Sequence, residues 1–276
     1  MHLEELERKI RENNVAIFGT GFVAEQLYSA LIQKKLINHL NFFITTGGGD
    51  YFHGYEVLSI NDDRIKGVLI LVAVHEVLKD EIIRNLESKG CSNYIWIRDE
   101  IYPFLLGETV KKGVSVPLKQ IWLANRNNYC IAIRYLAIEN YYKQNTYGFE
   151  IYKWALSLFM KPQTAKKRLE QFIEVIKNWE QNGYNKEKHA LILDNYCIFD
   201  GTHRISVACY YNQENITCDI FSYKNSLNYP EYFDRDRILS YPKQYVKEMA
   251  KDERIITILE ETDKKLDEQY SVVKRK

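Results

Sequence analysis

The chain has 276 residues, room for one large domain or two ordinary ones. Lys and Arg number 38 against 37 Asp and Glu, and a net charge of +1 gives no global electrostatic case for binding nucleic acid or a membrane surface. No apolar run is long enough to span a bilayer, and the charged, helix-like opening MHLEELERKIREN does not read as a secretory signal. The five cysteines, Cys91, Cys130, Cys197, Cys209 and Cys218, form no CxxC pair and have no metal-ligand spacing. Together these features lead us to expect a cytoplasmic protein with reduced, mostly buried thiols, no membrane span and no nucleic-acid partner.

In chain order, NVAIF at 14–18 reads as a buried strand followed at once by GTGFVA, and Leu27, Ala30, Leu31 and Leu36 then recur at helical spacing. A second strand, LNFFITT at 40–46, runs into a glycine-rich turn, GGGDYFHG. A third, GVLILVAV at 67–74, leads into a helix over 76–89, with Gly90 where a helix-ending glycine belongs, and NYIWI at 93–97 is a fourth strand. Strands alternating with helices through 13–98 predict a parallel, doubly wound sheet. Beyond Ile101 come a strand-like VSVPL, a Tyr-rich helical stretch and an amphipathic helix over 163–182, on which Leu169, Phe172, Ile173, Ile176 and Trp179 share a face. Strands over 189–194 and 196–199, the turn DGTHR, a helix to about Tyr211 and a strand ITCDIF follow. From Pro242 the tail is charged and amphipathic, a helix expected to pack on the body or on a second copy in a homodimer.

Two motifs carry chemistry. In GTGFVA, Gly19 and Gly21 let the backbone turn tightly and approach a ligand, while Ala24 allows close helix–strand packing. A dinucleotide site also wants an acidic residue at the end of the second strand, but this one ends in Thr45-Thr46-Gly47 with no acid before Asp50. The alternative is that the glycines only satisfy a strand–turn–helix. In FDGTHR, Asp200 ends a strand, Gly201 permits close approach, and Thr202, His203 and Arg204 bring donors to a helix mouth, which attracts a phosphate or carboxylate. The structural alternative is that Asp200 or Thr202 caps the helix, Arg204 pairs with a surface carboxylate and His203 packs. Arg126 and Arg134 could reach over this site. The expectation for Arg134 is an internal salt-bridge network with Glu139 and Glu150. His189, opening a strand, reads as a partly buried edge residue.

The residues VAIFGTGFVAEQL, HGYEVLSI (a G-y-x-V-l loop) and VLILVAV…EIIRNLESKGCSNYIWI resemble the Rossmann-like N-terminal domain of sugar O- and N-acyltransferases and other bacterial surface-polysaccharide proteins. That resemblance implies a domain able to bind a sugar nucleotide. The run LEQFIEVIKNWEQNGY, HALILD, FDGTHR and ITCDIF, with VSVPLKQIWLAN ahead of it, resembles the ParB/sulfiredoxin-like superfamily over about 114–222. Its members bind nucleotide phosphates at this turn: ParB proteins use CTP, sulfiredoxins ATP, and free-serine kinases transfer a phosphoryl group. Thr202 stands where sulfiredoxins carry their reactive cysteine, which argues against sulfinic-acid repair. No helix-turn-helix follows, against a ParB-type DNA role.

The resulting expectation is an α/β chain with a Rossmann-like parallel-sheet domain over 1–105, a ParB/sulfiredoxin-like α+β domain over 106–241 and a helical tail over 242–276. The resemblance implies a nucleotide-dependent small-molecule phosphotransferase using ATP or another nucleoside triphosphate with Mg2+, on a small-molecule or sugar-nucleotide ligand. Gly201, Thr202, His203 and Arg204 would hold phosphates, and Asp200 would orient metal or acceptor. Spacing does not choose the general base or metal ligand among Asp200, Asp194, Glu139 and Glu150. A non-catalytic nucleotide- or sugar-nucleotide-binding regulator is the alternative.

Overall fold

The computed structural model of the chain describes residues 3–74, 78–97, 101–107, 109–226 and 241–271. The chain forms two compact units, Met1–Glu108 and Thr109–Lys276.

In the first unit, α1 (Leu3–Arg11) precedes β1 (Val15–Phe18), every residue of which is buried. A strand covered on both faces must be apolar throughout, which is why VAIF shows no alternation. Then come α2 (Phe22–Gln33), β2 (Leu40–Thr45), β3 (Tyr51–Phe52), β4 (Tyr55–Ser59), β5 (Leu69–Val72), α3 (Lys79–Ser88), β6 (Tyr94–Trp96) and α4 (Ile101–Leu106). The sheet has the order β3-β4-β2-β1-β5-β6 and is parallel except for the edge strand β3. The chain winds outward from β1 to β2 and β4, then crosses to β1's other side for β5 and β6. The segment after β1 therefore sits where the order reverses.

Two details depart from the sequence pattern. HGYEVLSI is not a loop: His53 and Gly54, both at positive φ, turn a hairpin, and Tyr55–Ser59 pairs in parallel with β2. Strands and helices also do not alternate strictly, since β4 returns to β5 through a single 3-10 turn, Asp63–Ile65. The expected helix over 76–89 is seen from Lys79, and residues 75–77 lie outside the described residues.

The second unit contains β7 (Lys111–Pro117), α5 (Leu118–Asn125), α6 (Cys130–Tyr141), α7 (Gly148–Ser157), α8 (Pro162–Asn182), β8 (Ala190–Leu193), β9 (Ile198–Asp200), α9 (Thr202–Tyr210), β10 (Asn215–Phe221) and α10 (Tyr223–Ser226). Helices Lys243–Met249 and Glu253–Ser271 follow. Its mixed sheet has the order β7-β10-β8-β9, with only the central pair β10–β8 parallel. Along β10, Ile216, Cys218 and Ile220 are buried while Thr217 and Asp219 turn to the opposite face, the period-two alternation of a half-covered sheet. Asn125 clamps the β8–β9 turn: its amide donates to the Ile121 and Tyr196 carbonyls (2.7 and 3.0 Å), and its oxygen accepts from Ile198 N–H (3.1 Å).

Helix α8 buries Leu169, Phe172, Ile176 and Trp179, with Ile173 partly buried beside them, as the spacing required. The tail packs on the second unit. Its last helix buries Leu259, Leu266 and Tyr270, and Trp122 Nε1 donates to Asp267 at 2.8 Å.

Helices α6 and α7 approach closely at Gly148, where a Cβ would lie 2.0 Å from the Leu136 carbonyl oxygen and 2.5 Å from its carbon. Both are backbone atoms and cannot swing aside. Gly148→Ala must therefore push the helices apart, at a cost of about 3 kcal/mol. Denaturant unfolding of wild type and variant checks this, and an unchanged midpoint would contradict it.

Candidate functional site

The turn DGTHR connects sheet to helix through two constraints on one residue. β9 ends at Asp200, opposite Leu191 of β8, and Gly201 then adopts φ +88°, in the left-handed region. A Cβ at Gly201 would stand 3.0 Å from both Cα and Cβ of Ala190 and 3.1 Å from Arg204 Nη2. Conformation and close packing both call for glycine here. Gly201 is also the N-cap residue of α9 and has no side chain with which to cap it. The first intrahelical bond runs from Ile205 N–H to the Gly201 carbonyl (3.0 Å), leaving the amides of Thr202, His203 and Arg204 ahead of the ladder at the positive end of the helix.

The side chains of His203 and Arg204 diverge from one another. His203 lies among the helices: its ring stacks on Phe172 (centroids 4.4 Å, planes 16° apart), and Nε2 meets the Tyr152 hydroxyl at 2.7 Å. Arg204 turns to the sheet, where Nη2 donates to the His189 carbonyl at 2.6 Å and Nε is buried without a hydrogen-bond partner. It lies near Cys218, whose thiol burial pushes up to about 12 while the guanidinium pulls the other way. The sequence brings Asp200, Gly201, Thr202, His203 and Arg204 to one turn, but these contacts give the two cationic-capable side chains separate tasks in holding it.

The side chain that sequence reasoning left in a salt-bridge network is Arg134. It is only 7% exposed, in the middle of the almost wholly buried helix α6. Nη1 donates to the Cys130 carbonyl at 2.7 Å, and Cζ stands 6.0 Å from the Tyr152 ring centre and 5.8 Å from that of Tyr241. Its Nε has no hydrogen-bond partner, and among the described residues no carboxylate pairs with it. The expected network with Glu139 and Glu150 does not form: Glu139 pairs with Lys265 at 2.6 Å, and Glu150 is exposed. A guanidinium buried without a counter-ion is strongly unfavourable. One signal was present in the sequence: CIAIRYLAI carries a single charged side chain in an otherwise apolar, helix-length run.

Tyr152 joins Arg134 to the turn. Burial raises its hydroxyl pKa, and Arg134 and Arg168 both pull it back. Tyr241 is pushed up to about 12 by burial against the same two guanidiniums. Both phenols therefore stay protonated and can donate hydrogen bonds at neutral pH. Of the other acids considered, Asp194 accepts from Tyr223 N–H at the start of α10 (3.0 Å). Arg126, which ends α5, is exposed. Among the described residues no three metal-ligating side chains converge.

In the first unit, Gly19 (φ +119°) is required by packing, since a Cβ there would lie 2.7 Å from the Ala73 carbonyl oxygen at the end of β5. Gly21 differs: at φ −97° it heads α2 without a side-chain cap, and a Cβ would meet nothing within 4 Å. Beyond β2, Thr45 Oγ1 donates to the Gly48 carbonyl at 3.0 Å, closing a loop with no acid at the strand's end.

Tyr152→Phe removes the hydroxyl partner of His203 Nε2 with little change in shape. The loss should be about 1–2 kcal/mol, and the ring stacking on Phe172 should persist. Denaturant unfolding read by tryptophan fluorescence measures the first, and histidine ring NMR the second. No protein-family model matches this chain, and neither a curated protein nor a solved structure matches it.

Proposed function

We propose that the chain is a nucleotide-dependent phosphotransferase for a small molecule, with the nucleotide's phosphates held at the mouth of α9. The observation that carries this is Arg134, a buried guanidinium without a carboxylate among the described residues, one phenol away from the start of α9. Phosphate oxygens would accept from the amides of Thr202, His203 and Arg204 and from the Thr202 hydroxyl, with Gly201 allowing their approach. Arg134 and Arg168 would supply the neutralising charge and Tyr152 a hydroxyl donor. The side chains of His203 and Arg204 would hold the turn in shape. Resemblance of the DGTHR turn to the ParB/sulfiredoxin-like superfamily supports the choice of a nucleotide.

For Mg2+, the turn offers one carboxylate, Asp200, and no cluster of three donors among the described residues. That donor set suits an ion carried on the nucleotide's own phosphates, where it would neutralise their charge. In the first unit, a glycine-rich turn at the reversal of a parallel sheet supports a Rossmann-like reading, with Gly21 the point where a sugar nucleotide approaches the backbone.

A non-catalytic nucleotide-binding regulator is the second reading. It is favoured by His203 stacked on Phe172 and Arg204 bound to the His189 carbonyl, both engaged within the protein. Calorimetric titration with ATP, ADP, CTP and nucleotide sugars, with and without Mg2+, tests both. Arg134→Met replaces a buried charge by an apolar side chain, so the free protein should be as stable as wild type or more so. Nucleotide affinity should fall about tenfold or more. Equal affinity in the variant would overturn the site, and nucleotide consumption that depends on an added acceptor would separate transfer from binding.

A further inference from the structure

A different face of the second unit carries a second arrangement of groups. The outward side of its sheet, the loop before β8 and the loop between α9 and β10 enclose a groove of about 700 Å3. On its wall, His189 Nδ1 lies 2.8 Å from Asp219 Oδ1, and the same oxygen accepts from Gly113 N–H at 2.8 Å. In the tautomer that donates from Nδ1 to the carboxylate, Nε2 presents a lone pair. Asp219 retains 16% side-chain exposure and His189 23%.

His189 is held from three directions. Asp219 fixes one ring nitrogen, Arg204 grips its carbonyl, and the ring lies against Gly113, where a Cβ would come within 3.1 Å of Cε1. Gly113 also sits at φ +62°, so its missing side chain serves both the backbone and the ring. A partly buried edge histidine with no task needs no such support.

The rest of the lining indicates what would bind. Asn212, Gln213 and Asn215 bring amides, while Ser115 and Thr217 bring hydroxyls, groups that both donate and accept. The charged side chains of the lining that face outward to solvent, Lys186 and Glu214, are of opposite sign. Tyr184 lines the groove with its ring stacked on Trp179 and its hydroxyl accepting from Thr217 N–H. A neutral, amphoteric lining with an aromatic wall matches a ligand whose own groups both donate and accept, rather than a phosphate. We propose that this groove binds a neutral, polyhydroxylated small molecule of the sugar class, with one hydroxyl donating to His189 Nε2. The inference stands apart from the nucleotide reading, because none of the groove's lining residues belongs to the α9 mouth.

The test is ring NMR of the full chain labelled with 15N-histidine, titrated separately with D-glucose, myo-inositol and D-glucose 6-phosphate. The expected result is a saturable shift of the His189 Nε2 resonance with at least one neutral probe. It should be lost in Gly113→Ala and retained in Arg134→Met, which removes the proposed nucleotide site alone. Calorimetry should show affinity for that probe about tenfold weaker in His189→Gln. The proposal is overturned if neither neutral probe moves the resonance, if only the phosphorylated sugar does, or if the shift survives undiminished in Gly113→Ala.

Discussion

The second unit depends on the close approach of the α9 start to the head of β8. Gly201 seats its bare Cα against Ala190, and three residues later Arg204 reaches back to the carbonyl of His189. One turn thus fixes the helix mouth on one side of the sheet and the backbone of a groove-lining histidine on the other. Any side chain at position 201 would meet both contacts at once, in a conformation that L-residues rarely adopt. The glycine is demanded by geometry before any ligand is considered.

Electrostatics reinforce this organisation. The helical side of the unit is apolar and aromatic, and burial in such an interior raises the pKa of an acidic hydroxyl or thiol. Cys209 and Cys218 are pushed up to about 12, and Tyr241 likewise, so these groups stay neutral. Arg134 cannot respond in this way, because a guanidinium keeps its proton. It stays charged in surroundings where its neighbours avoid charge, held by one carbonyl and two aromatic faces. That imbalance singles it out from the paired surface cations, such as Lys265 on Glu139, whose contribution in water is small.

The first unit shows how a motif divides under inspection. Gly19 and Gly21 stand two residues apart in GTGFVA, yet the fold requires only the first, through the Ala73 carbonyl. The second heads α2 with open space where a side chain would be. The hairpin at His53-Gly54 packs near this helix: the His53 ring stacks on Tyr28 at 4.1 Å, and His53 pairs with Glu25 at 2.6 Å. That contact explains why the segment folds into a strand rather than the expected loop, since it gives the hairpin an anchor from a distant element.

The sequence by itself determined the strands that are buried on both faces, the amphipathic face of α8 and the existence of a strand–glycine–helix turn at 199–204. These follow from periodicity and from backbone rules local to a few residues. It could not determine where His203 and Arg204 point, because rotamers at a helix start are chosen by whatever packs there. Phe172, Tyr152 and the His189 carbonyl come from three separate elements. Arg134 shows the same limit: its acidic neighbours in sequence, Glu139 and Glu150, were plausible partners until the last helix took Glu139 through Lys265. The pairing of His189 with Asp219, thirty residues on, arises only when β8 and β10 lie side by side in register. Local physics wrote the elements, and only tertiary packing decided which charges were paired and which were buried against carbonyls and aromatic rings.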